Sequence, residues 1–198
     1  MPKLGMEPIR RDALIKAAIV EIGQVGSLDV TVSRIAKRAG MSSALAHHYF
    51  GSKEQMFLAA MRHVLTVYGA EIRGALVAAE TPQARLRAVV LVSFTGSHFR
   101  RDVVAAWLNF YVMAQRQPEA ARLLRIYQAR LRANLRHALR LRAGERAAGL
   151  ADAVAAMIDG VYLHEALGAG EPDGERAVAQ IMDWIAAALT GDLRGDAP

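Results

Sequence analysis

The chain has 198 residues, 53% of them apolar, with no cysteine and a net charge of +6. This length allows one large or two small domains with a proper core, and the missing cysteine excludes disulfides, thiolate metal sites and thiol nucleophiles. No run of 18 residues lacks a charge, which argues against a membrane span, and Lys3, Glu7, Arg10 and Arg11 crowd the start, where a secretory leader needs an apolar stretch. A cytoplasmic location fits, and abundant Ala, Leu and Arg with six prolines favour an all-α chain.

Residues 1–6 read as a flexible arm. Pro8 suits a first helical turn. Leu14, Ala18, Ile22 and Val25 then recur at helical spacing until Gly26. Arg10 and Arg11 sit near the start of this helix, where its dipole favours anions, so both are candidate phosphate contacts.

The next stretch, TVSRIAKRAGMSSALAHHYFGSK, reads as two short helices and the start of a third. Thr31 can accept an orphan backbone N–H and begin a helix. Val32, Ile35, Ala36 and Ala39 give it one apolar face, with Arg34, Lys37 and Arg38 opposite. Gly40 closes it, since glycine takes the left-handed conformation of a helix end. Ser42 can start the second helix, Gly51 ends it, and Ser52 to Gln55 has the spacing of a capping box. Two helices joined by so short a glycine turn predict a helix-turn-helix, whose second helix enters the major groove. That helix presents Ser42, Ser43, Leu45, His47 and His48, and hydroxyls and imidazoles can bond phosphates or base edges. Lys53 opens the following helix and forms an anion site with its unpaired N–H groups. An ordinary helical hairpin with solvated Arg and Lys shares the spacing.

The fourth helix runs from about Lys53 to Ala79, with Met56, Ala60, Val64, Val67 and Ile72 inward. Pro82 precedes a fifth, carrying Leu86, Val89, Val90 and Phe94 on one face. Gly96 and Ser97 separate it from Arg101–Arg116, where Trp107, Tyr111 and Ala114 recur beside Phe110. Pro118 opens a long helix that Gly144 ends. Two more follow, about Glu145–Leu167 and Asp173–Leu189. Nine helices are expected, without strand-like alternation or internal repeats, dividing into a head at 1–52 and a larger domain at 53–198. The last two helices carry more apolar surface than one face needs. Val154, Met157, Val161, Ile181 and Ile185 are therefore candidates for a homodimer interface, or for core packing within one chain.

Charge is unevenly spread. Residues 1–62 hold nine Lys or Arg against five Asp or Glu, which fits phosphate binding. Residues 100–146 hold eleven Arg against three acids, and residues 148–198 two Arg against nine. The Arg-rich middle is either a second nucleic-acid surface or a solvated helix face partly neutralised by the acidic last third.

The run AGMSSALAHHYFGSKEQMF resembles the DNA-binding signature of the TetR family of repressors. The segments MPKLGMEPIRR, AAMR, AWLNFY and MIDGVYL are similar at matching places to a choline-responsive branch of that family, which controls glycine betaine synthesis genes. The resemblance implies a TetR-like fold, a three-helix head, and a dimer that binds an inverted repeat of double-stranded DNA. It implies Arg10, Arg11, Thr31, Ser42, Ser43, Leu45, His47, His48, Tyr49 and Lys53 as the DNA-facing set. His47 stands where much of the family has a phosphate-contacting tyrosine, and it can still donate to a phosphate. It also implies a small-molecule effector, choline, with no cofactor and no metal. A quaternary ammonium cannot donate hydrogen bonds but is drawn to ring faces. Trp107, Phe110, Tyr111, Tyr127 and Tyr162 are the candidate rings, with Phe94 nearby in sequence, and Asp159 or Glu165 the candidate carboxylate. The alternative is a repressor of this family answering another small hydrophobic or cationic effector.

Catalysis is poorly supported. His47 and His48 are adjacent and project apart on a helix, and His63, His98, His137 and His164 are scattered. No nucleophile elbow, Walker loop or dinucleotide fingerprint occurs. A helical small-molecule carrier or enzyme is the remaining reading from another class.

Overall fold

The computed structural model describes residues 5–95, 98–168 and 170–191, and these hold nine α-helices and no strand. The break expected at Gly96 and Ser97, and residues 1–4 of the expected arm, lie outside them. The helices are α1 (Met6–Val25), α2 (Val32–Arg38), α3 (Ser43–Phe50), α4 (Lys53–Ala78), α5 (Pro82–Ser93), α6 (Arg101–Ala114), α7 (Pro118–Ala143), α8 (Ala147–Leu167) and α9 (Gly174–Thr190).

Local chemistry sets most of these ends. The side chains of Thr31, Ser42, Thr81 and Asp173 each accept the backbone N–H three residues on, capping α2, α3, α5 and α9. Two ends moved inward from expectation. α6 stops at Ala114 because Gln115 and Arg116 turn back onto Val112 and Met113. α8 starts at Ala147 because Gly144–Arg146 forms a single 3-10 turn first.

The chain forms two compact units. The first takes the described residues up to Thr66 together with Arg100–Leu124. Its core joins Leu14, Ala18 and Ile22 of α1 to Ile35 of α2, Phe50 of α3, Phe57 of α4 and Phe110 of α6, all buried. α6 belongs here because it packs along α1. At Gly23 the backbone of α1 lies directly against Asp102, leaving no room for a Cβ. Asn109 Nδ2 donates to the carbonyl of Gly26 at 3.2 Å and fastens the end of α1.

The second unit takes Val67–Phe99 and the described residues from Arg125 onward. Leu86, Val89 and Val90 of α5, Leu135 and Leu139 of α7, Val154 and Ile158 of α8, and Ile181 and Ile185 of α9 make one core. Compactness thus divides the chain differently from a cut at residue 52, since α4 and α7 each contribute to both units.

Candidate nucleic-acid interface and effector unit

The turn between α2 and α3 is built from its own backbone. Gly40 takes φ +68°, Met41 N donates to Ala36 O at 2.9 Å, and Gly40 N donates to Lys37 O at 3.1 Å. This paired ending satisfies the last carbonyls of α2 and redirects the chain within two residues. Ser42 Oγ then accepts Leu45 N–H at 3.2 Å and starts α3. Buried Ala46 and Phe50 hold α3 on the core, which leaves Ser42, His47 and His48 exposed and Ser43, Leu45 and Tyr49 half-buried. His47 Nδ1 lies 3.2 Å from Gly51 O, which can only accept, so Nδ1 donates there and Nε2 can donate to a phosphate only in the doubly protonated ring. His48 leans on the Tyr49 ring at 5.5 Å.

Several expected contacts turn out to be braces. Arg11 donates to Tyr49 O at 2.6 Å and lies over the Phe50 ring at 4.6 Å, so its guanidinium closes the end of α3. Arg10 is exposed beside it. Lys53 donates to Leu28 O at 2.7 Å, and its stem borders a small void with Ile22, Val30, Ile35 and Phe57. Its ammonium therefore fastens α4 to the segment before α2. Thr31 is exposed with its oxygen accepting from Arg34 N, and its hydroxyl proton can still be donated.

One brace was not foreseen. Glu21 is 3% exposed and takes ion pairs from both Arg34 and Arg38, while Arg38 also donates to Gln24 at 2.7 Å. Burial pushes the Glu21 carboxyl up, but the hydrogen bond from Arg38 and the charges of Arg34 and Arg38 outweigh it and hold its pKa below the usual carboxylate value. The signal was present in the sequence: Glu21 stands three residues after Ala18 and seven after Leu14, on the apolar stripe of α1.

These assignments separate reading from bracing. His48→Ala should lower the preference for operator over random DNA by about 1–2 kcal/mol without lowering Tm, because the side chain is exposed. Lys53→Ala should lower Tm, because it removes a half-buried bond. Competition mobility shifts and thermal melts on the two variants measure both. A Lys53→Ala protein with unchanged Tm and uniformly weaker DNA binding would restore it as a phosphate contact.

The six effector candidates do not gather in one unit. Trp107, Phe110 and Tyr111 belong to the first, where Trp107 meets the other two rings at 5.7 and 5.9 Å. Trp107 is 7% and Phe110 0% exposed, so both rings fill core. Tyr127, Asp159 and Tyr162 belong to the second. There Tyr127 packs on Tyr68 at 5.7 Å, and Tyr162 on Phe94 and Phe99 at 6.4 and 5.4 Å. The charge of Asp159 is felt at Tyr68, whose hydroxyl is pushed up to about 12, chiefly by burial. Glu165, the other candidate carboxylate, pairs with Arg176 through both oxygens and accepts Asp173 N–H, so it ties α8 to the start of α9.

The candidate interface residues also divide. Val154, Ile181 and Ile185 are at most 2% exposed and are consumed by the protomer's own core. Met157 and Val161 are half-buried, as are Leu150, Met182 and Trp184. In the Arg-rich stretch, Arg132 pairs with Asp152 at 3.1 Å and Arg146 donates to Ala188 O at 3.2 Å. Both contacts use acidic or carbonyl groups of the last third.

Comparison with known proteins agrees with this geometry. Residues 14–60 match the family described as bacterial regulatory proteins, tetR family, and residues 82–190 match the BetI-type transcriptional repressor C-terminal family. The HTH-type transcriptional regulator BetI of Brucella anthropi is 51% identical over 193 residues, covering 97% of this chain and 100% of that protein. A transcriptional regulator from Pseudomonas aeruginosa shares the fold with a TM-score of 0.81 at 24% identity, covering 96% of this chain and 94% of the other. A regulator from Saccharomonospora viridis, solved in complex with choline, has a TM-score of 0.78 at 21% identity, covering 89% and 95%.

Proposed function

The chain belongs to the TetR family of bacterial regulatory proteins and carries a BetI-type repressor C-terminal domain, and from that premise we propose a homodimer that sits on an inverted-repeat operator ahead of choline-to-glycine betaine genes and is released by choline. It is a DNA-binding regulator of transcription and not an enzyme. It works without a cofactor, in the cytoplasm beside its DNA. The observation that carries the reading is the 51% identity to a BetI regulator along almost the whole chain. The choline-bound relative of the same fold supports the choice of effector.

In this reading α3 lies in the major groove with Ser43, Leu45 and His48 towards the bases, and Thr31, Ser42, His47 and Tyr49 towards the backbone. Two heads on one two-fold axis read the two half-sites. Choline acts because it binds one arrangement of the second unit better than another, and it shifts the balance only by that difference.

The test is a mobility shift on DNA from upstream of the protein's own gene, titrated with choline and with 3,3-dimethyl-1-butanol, its uncharged isostere. Choline should weaken operator binding by roughly 5- to 150-fold, the usual range of such coupling. The alcohol should have far less effect if charge matters. No shift on that DNA or any BetI-controlled promoter would refute the operator. A shift indifferent to choline would point to another small hydrophobic or cationic effector.

A further inference from the structure

We propose that the effector's cationic head binds in the second unit against Glu71 and the ring of Tyr68, at the place now filled by the side chain of His98. The proposal rests on the choline reading above and adds the site and its internal occupant.

The observations start from His98, which is 4% exposed. Its Nε2 lies 2.9 Å from Glu71 Oε2, yet without the alignment of a hydrogen bond. Its ring stands edge-to-face with Tyr68 at 5.3 Å, and Tyr68 stands likewise to Tyr127 at 5.7 Å. A carboxylate with a phenol ring beside it is the constellation that holds an organic cation. An imidazole is a poor guest for it. Burial lowers the His98 pKa, more than the neighbouring Glu71 raises it. At neutral pH the carboxylate therefore faces an uncharged ring. A trimethylammonium head has about the bulk of an imidazole and keeps its charge at every pH. It would exchange a misaligned polar contact for an ion pair beside an aromatic ring.

The frame around the occupant is held by hydrogen bonds. Ser93 Oγ donates to Val89 O at 3.2 Å, so the Tyr68 hydroxyl donates to Ser93 Oγ, at 3.0 Å, and the Tyr68 ring is held. The Tyr162 hydroxyl donates to His98 O at 2.7 Å and holds the backbone. Displacement then moves the His98 side chain while its backbone stays held. The Glu71 side chain is 40% exposed, which gives a charged ligand a wet approach. Asp159 adds a second negative charge acting on Tyr68.

Calorimetric titration of the full-length protein with choline chloride and with tetramethylammonium chloride tests this. Glu71→Gln should weaken choline by about tenfold. Tyr68→Leu should weaken it by roughly 3- to 30-fold, the span of a lost ring face. His98→Ala should tighten it by about fivefold, because the competitor is gone; His98→Gln serves if the alanine protein does not fold. In the wild type, choline should move the His98 ring resonances in a proton–nitrogen spectrum. If choline binds the wild type but those resonances stay still and the Glu71 and His98 variants bind alike, the site is wrong and the choline reading stands. If only tetramethylammonium binds, with the same variant pattern, the site stands and choline falls. If neither binds, both are overturned.

Discussion

Exchanging Arg34 and Arg38 together for methionine should raise local opening of α1 and α2 about a hundredfold, equivalent to about 3 kcal/mol, read by hydrogen exchange in those helices. The cause is the carboxylate left behind. Glu21 is almost wholly buried, whereas its two partners are 53% and 37% exposed at the side chain. Stranding the buried charge costs far more than freeing the two arginines into water. Glu21→Gln should therefore cost much less than the double exchange, although both variants lose the same ion pairs.

The wild type and the double variant should also respond oppositely to acid. In the wild type the Glu21 pKa is lowered on folding. Its contribution is complete above the unfolded carboxylate value and is lost as pH falls through the lowered folded value. Without the arginines only burial acts on Glu21, and burial raises the pKa. The double variant should then recover protection as pH falls from that raised value to the unfolded one, a range above that in which the wild type loses it. Parallel acid profiles for the two proteins would show that the arginines do not set the charge of Glu21.

Met157→Glu should give a monomer that keeps its fold and binds operator about 10²–10⁴-fold more weakly, since the second half-site no longer sits at high effective concentration. Ile185→Glu should instead destabilise the protomer by about 4 kcal/mol or more. Ile185 is 2% exposed within the core of the second unit, while Met157 is a half-buried residue on its margin. Sedimentation, thermal melts and operator titration distinguish the two outcomes. A Met157→Glu protein that sediments as a dimer with unchanged operator affinity would remove this face of α8 from the interface.

The helix ends were legible because their causes are local. Thr31, Ser42 and Ser52 each bond the backbone three residues ahead, and Gly40 supplies the positive φ between α2 and α3. Apolar spacing likewise found the faces of α8 and α9. It could not say what covers them, because a side chain bound for its own core and one bound for a twin look alike in a periodic pattern. Val154, Ile181 and Ile185 went to the core for that reason. Charged residues were the least legible. Arg11, Lys53, Glu21 and Glu165 each choose a partner far away in sequence, two of the four being backbone carbonyls that any residue offers. The aromatic candidates divide similarly. Trp107 and Tyr127 are twenty residues apart on neighbouring helices, but they enter different units. The group around His98 draws on α4, the segment before α6, and α7, and only Tyr68 and Glu71, three apart on α4, share a local signature.

The contact between Gly23 and Asp102 bears on whether the DNA-reading part can be transplanted. Its sequence signature ends near residue 60, which invites a fusion made from that contiguous piece alone. Such a graft would carry α1 with its glycine track open and the apolar residues that meet α6 bare to water. The folded head is assembled from two separated stretches of the gene, and the later one begins at Arg100. A chimaera that exchanges DNA specificity between relatives must therefore move both stretches, or repaint the face of α1 that the second stretch covers. The natural module boundary in this protein follows helix packing, not order along the chain.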